Sequence, residues 1–119
     1  MTKVNVHECR ATQEGGVMTL AFTGSMNGGD AYLVLSLDEK PDRQDIELGL
    51  VGVHVEWNDQ AHSGYSMIRS ARWDDADLAI TITEVGQKLG IPAIILLHKA
   101  ASHLGSDDRT ITETILAYV

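Results

Sequence analysis

Cysteine occurs once, at Cys9, so no disulfide can form within the chain. A lone thiol fits a reducing compartment. On a first strand it reads as a small, half-buried packing residue. Aromatic residues make up only 5% of the 119 positions, so a core must rest on Val, Ile, Leu and Ala. The longest apolar run, "IPAIILL", is far too short to span a bilayer. The start, "MTKVNVHECR", lacks the apolar stretch and small-residue cleavage site of a signal peptide. These absences lead to an expectation of a soluble cytoplasmic protein. Positive charge is also scarce: nine Lys and Arg stand against seventeen Asp and Glu, a net charge of −8. A surface of that sign repels nucleic acid and attracts cationic partners.

What is present fits one domain over residues 1–119, long enough to bury a core without staples. Acidity is concentrated. From Asp30 to Asp59 eight acidic residues face only Lys40 and Arg43. Turn signals recur at "EGG" (14–16), "GSMNGGD" (24–30), "EKPD" (39–42), "NDQAHSG" (58–64), "DDAD" (74–77), "LGIP" (89–92) and "GSDD" (105–108). Between them the chain alternates with period two, as half-buried strands do. Met18, Leu20 and Phe22 share a face. So do Ala31, Leu33, Leu35 and Leu37, then Val51, Val53, Val55 and Trp57, and then Leu78, Ile80 and Ile82.

One helical segment is expected, at "TEVGQKLG", with Thr83 as cap and Gly90 and Pro92 as stop. "IPAIILL" reads as a buried central strand. "HKAASHLG" reads as a short helix or a loop. "TITETILAYV", with its β-branched alternation, reads as a last strand, a helix being the alternative. The expectation is a mostly β, α+β domain of about eight strands with one short helix. Its sheet would be single, antiparallel and strongly bent, as a partly open barrel or a sandwich.

Few combinations suggest chemistry. His54 and Glu56 point the same way from one strand, and His62 follows in the next loop, so a zinc site is conceivable. The plainer reading is a polar outward face. Ser25 lies between glycines but not in a nucleophile elbow, and Ser63 and His62 are sequence neighbours that point apart. "NGGD" runs into a strand rather than the helix start a phosphate cradle needs. The carboxylate pairs Asp74/Asp75 and Asp107/Asp108 sit in turn contexts. Neither a basic, aromatic-interleaved face nor a basic amphipathic helix is present, so no nucleic-acid or membrane partner is expected. No cofactor is expected either.

The stretch "DIELGLVGVHVEWNDQAHSGYSMI" resembles the immunity protein 10 family of bacterial polymorphic toxin systems. The resemblance rests on Asp45 to Gly49, Glu56, Asp59 with Gln60, and Gly64 with Tyr65. It extends over residues 30 to 97 through the helical "KLG" and the strand "AIILL". Ser66 and Met67 stand where family members often carry further glycines. The resemblance implies a mostly β protein, encoded beside a toxin, that protects its producer by binding. Many such toxins act on nucleic acid and are basic, so an acidic inhibitor would gain association rate. The expected partner is a cognate toxin domain, a basic nuclease being one candidate. The expected contact residues are Asp42, Asp45, Glu47, His54, Glu56, Asp59, Gln60 and Tyr65. Tyr32, Trp57, Tyr65 and Trp73 are candidate anchors, Trp57 being the most core-like of them. Two other readings are a homo-oligomeric β module that pairs through an edge strand, and a small metal-assisted enzyme.

Overall fold

The computed structural model describes residues 1–119. Eight strands form one sheet: β1 (Thr2–Glu14), β2 (Val17–Met26), β3 (Gly29–Asp38), β4 (His54–Trp57), β5 (Asp59–Tyr65), β6 (Ile68–Asp74), β7 (Asp77–Ile82) and β8 (Ile94–His98). Helix α1 (Arg43–Glu47) links β3 to β4, and α2 (Glu84–Lys88) links β7 to β8. A 3-10 turn (Ala100–His103) and helix α3 (Ser106–Leu116) follow β8.

The spatial order is β5-β4-β3-β2-β1-β8-β7-β6. β5 and β6 are therefore the two edges, yet only Ser66 and Met67 separate them in sequence. A two-residue link between opposite edges requires a sheet bent almost into a ring. Residues 59–74 act as one kinked strand that pairs with β4 by its first half and with β7 by its second. Such sheet-switching strands make the corners of bent sheets. No ladder joins β5 to β6, so the ring stays open.

The sheet is mixed, which corrects the expectation of a purely antiparallel one. β1 and β8 are parallel, Thr2 opposite Ile95 through Asn5 opposite His98. The direction is fixed by parity. Four antiparallel pairings carry β1 to β5, and two carry β6 to β8. Because β5 and β6 run on in one sense, β1 and β8 must run in one sense where they meet.

The alternation predicts the core well. Met18, Leu20, Phe22, Leu33, Leu35, Leu37, Val55, Trp57, Leu78, Ile80 and Ile82 are all buried on one face. The Gly15-Gly16 and Asp75-Ala76 turns fall where expected, and Thr83 Oγ1 caps α2 by accepting from Gly86 N at 3.2 Å. β8 lies inside the sheet, though Ile94 on its outer face is exposed. Where β1 bulges between Val6 and Glu8 its backbone crosses β2 closely, and a Cβ on Gly24 would overlap the Asn5 carbonyl. Gly64 leaves room for the end of the Met67 side chain, which a Cβ there would displace. Met67 also packs against Gly86 of α2 and so fills the gap between the edges.

Three further expectations are corrected. There are three helices, not one. The "TITETILAYV" segment is α3, not a strand. Asp107 and Asp108 favour the helix N-terminus, and Asp108 Oδ2 accepts from Gly105 N at 2.8 Å. Thr112 and Ile115 then lie on one helical face and are buried over the sheet, so packing overrides β-branched propensity. Residues 58–64 are mostly strand: Asn58, at φ +56°, makes the turn alone, and β5 starts at Asp59.

Candidate protein interface

The outer face of β3, β4 and β5 carries the residues opposite the core stripe. Register places Ser36, His54 and Tyr65 in one row and Val34, Glu56 and Ser63 in the next. Tyr32 and Asn58 lie beyond them. His54 meets the Tyr65 ring edge-on, with centroids 4.8 Å apart. Such edge-to-face packing fixes both rings. Glu56 accepts a 2.6 Å hydrogen bond from the Tyr32 hydroxyl. That bond, aided by partial burial and by the charges of Glu56 and Asp59, pushes the Tyr32 phenol up to about 12.

Asn58 extends the ladder with its side chain. Its Oδ1 accepts from Tyr32 N at 2.7 Å, and its own N–H donates to Tyr32 O at 3.2 Å. Asp59 Oδ1 accepts from Ala61 N at 2.8 Å, the local turn bond its residue type favours. Gln60 contributes its backbone carbonyl, which accepts from Ser63 Oγ at 2.6 Å, and leaves its side chain exposed.

Asp42, Asp45 and Glu47 lie elsewhere, on α1. Asp42 Oδ1 caps the helix by accepting from Asp45 N at 2.8 Å. Glu47 pairs with Arg43 at 3.2 Å in open solvent, a contact worth little to stability. The helix buries none of its residues. It closes with a Schellman motif: Leu50 N donates to Asp45 O at 2.9 Å, Gly49 N donates to Ile46 O at 3.1 Å, and Gly49 sits at φ +72°. The segment behind it is anchored to the β5–β6 kink, where Ser66 N donates to Val53 O and Ser66 Oγ to Val51 O, both at 3.0 Å. The expected contact residues thus form two groups. Asp42, Asp45 and Glu47 stand on a projecting arm, and His54, Glu56, Asp59, Gln60 and Tyr65 lie on or beside the β4–β5 hairpin.

Sequence reasoning missed the apolar part of the arm. Ile46, Leu48 and Leu50 are 57%, 63% and 40% exposed. The signal was present in "DIELGL", whose apolar residues have no second turn of helix to bury them. Of the aromatic candidates, Trp57 is core at 5% exposure, whereas Tyr65 and Trp73 are surface residues.

The chemical alternatives do not assemble. Gly64 is paired with Val55, so His62, two residues earlier, faces inward and lies over Gly90, away from His54 and Glu56. No three His, Cys, Asp or Glu side chains are grouped as metal ligands would be. Ser25 Oγ lies 3.3 Å from His7 Nε2, but the pair is exposed and no carboxylate bonds the ring's other nitrogen. Burial, with the charges of Asp108 and Glu8, pushes the Cys9 thiol up to about 12, the opposite of an activated thiolate. A groove of about 660 Å³ is lined by His7, Glu8, Thr23, Asp30, Tyr32 and Asn58, and neither of its two carboxylates bonds the His7 ring. No helix is long and apolar enough to cross a membrane.

The profile of the family described as Immunity protein 10 matches residues 3–104 of the chain. No curated protein and no solved structure matches it.

Proposed function

The chain belongs to the immunity protein 10 family, which implies an immunity role and a toxin partner, and we propose that it acts without catalysis, by holding a cognate toxin domain in the bacterial cytoplasm. The family match over residues 3–104 carries this reading. Its charge supports a basic partner face, of which a nuclease domain is the first candidate. Eight acids against two cations lie between Asp30 and Asp59, and such imbalance speeds encounter with an opposite charge. The contact surface in this reading joins Asp42, Asp45 and Glu47 to His54, Glu56, Asp59, Gln60 and Tyr65.

The test is protection. The toxin domain encoded beside this gene is expressed in a susceptible bacterial host, with and without this chain. Growth is expected only when both are made, and the two should co-elute as one complex. Continued killing in the presence of soluble, folded chain would contradict the proposal.

A further inference from the structure

Resting on that reading, we infer that the arm from Asp42 to Leu50 is a docking finger, in which Ile46, Leu48 and Leu50 enter an apolar pocket on a basic partner and Asp42, Asp45 and Glu47 steer it there. Isolated exposed aliphatic residues are ordinary. Here three lie within five positions, Ile46 on a helix that buries nothing, Leu48 at its C-cap and Leu50 just past its end. A Schellman motif often packs its last residue against an apolar side chain five or six positions earlier. In this motif those residues are Asp45 and Gln44, so the helix offers Leu50 no apolar partner.

The arm is also shaped in advance. The Asp42 cap, the two C-terminal hydrogen bonds and the Ser66 bonds to Val51 and Val53 hold it without help from a core. A preformed element loses little freedom on binding. Charge selects the occupant. From Asp38 to Glu47 five acids face two cations, one of them, Arg43, already paired with Glu47. A second copy meeting the arm through its own would set acid against acid, which is unfavourable. A pocket rimmed by Lys and Arg fits both features. Val85 on α2 and Leu89 at its C-cap are exposed as well, but Glu84 and Lys88 beside them cancel and select no partner.

The two parts of the arm should separate kinetically, because steering acts on association and buried apolar contact on dissociation. The experiment measures both rates for the full chain against the purified toxin domain encoded beside its gene, at low and high salt. Ile46→Ala with Leu48→Ala is expected to raise the dissociation rate about a hundredfold at either salt, with association nearly unchanged. Asp45→Lys is expected to slow association about tenfold at low salt, and the effect should fade at high salt. An unchanged thermal midpoint shows that the variants fold. Wild-type chain that fails to bind would overturn the immunity reading and this inference with it. Normal binding with an unchanged dissociation rate in the double variant would overturn the inference alone. A homodimer that the double variant dissolves would assign the arm to a second copy and overturn it too.

Discussion

Helices α1 and α3 begin alike and end in opposite roles. Each has an aspartate bonded to a backbone N–H of its first turn or cap, Asp42 to Asp45 N and Asp108 to Gly105 N, both at 2.8 Å. From there α3 continues for eleven residues and buries Thr112 and Ile115. Its Asp108 also accepts from Ala11 N of β1 at 3.2 Å, tying helix to sheet. α1 stops after five residues and buries none. The similar starts show that capping selects where a helix begins, while burial decides whether it serves the fold. α3 is part of the scaffold, and α1 is surface held in shape.

That contrast can be broken first at Ile115. Ile115→Ala should cost about 2–5 kcal/mol, as buried aliphatic truncations do, read as a lower urea midpoint at unchanged slope. A loss below about 1 kcal/mol would place α3 with α1 as an ornament of the fold.

Asp108→Ala removes two hydrogen bonds and should cost about 1–2 kcal/mol. It should also lower the Cys9 ionisation from about 12 toward 9, though not fully, since burial is the larger cause and remains. The folded thiol ionises above its unfolded value, so this group's contribution is complete below about pH 9 and is lost as pH rises through about 12. Alkylation rate against pH gives the midpoint. An unmoved midpoint would mean that the Asp108 charge does not reach Cys9.

Asp42→Ala removes a cap of the same kind on the other helix, yet global stability should change by no more than about 0.5 kcal/mol. The loss should appear locally, as faster amide exchange over residues 43–48. A fall in global stability as large as that of Asp108→Ala would erase the distinction between the helices.

The smallest effect lies on the outer face. Glu56→Gln should bring the Tyr32 ionisation down from about 12 toward 10, followed by phenolate absorbance with Tyr32→Phe as the blank. The folded phenol ionises above its unfolded value. The bond therefore supports the fold below about pH 10 and is lost through about 12.

The sheet was legible because period-two alternation reports burial directly, and the inner stripes from Met18 to Ile82 follow it, except that β4 starts only at His54 and leaves Val51 half-buried ahead of it. Parity likewise placed His54 and Glu56 on the outer face. Three features were hidden for physical reasons. The parallel β1–β8 pair depends on the count of reversals around the ring, which no local stretch encodes. α3 carries β-branched residues whose 3.6-residue period becomes decisive only once Ile115 has a sheet to meet. α1 starts directly after the Pro-Asp turn signal at 39–42, and its Asp42 cap reads as the end of that turn. Of the proposed interface, the acids were visible in composition. The Glu56–Tyr32 bond and the exposure of Ile46, Leu48 and Leu50 needed the fold.

The decisive measurement is amide exchange of the chain, alone and saturated with its toxin domain. Exchange is expected to slow over Asp42 to Leu50 and along the β4–β5 hairpin, with α3 unchanged from 106 to 116. Protection confined to α3 or β6, with the arm exchanging as fast as before, would contradict it.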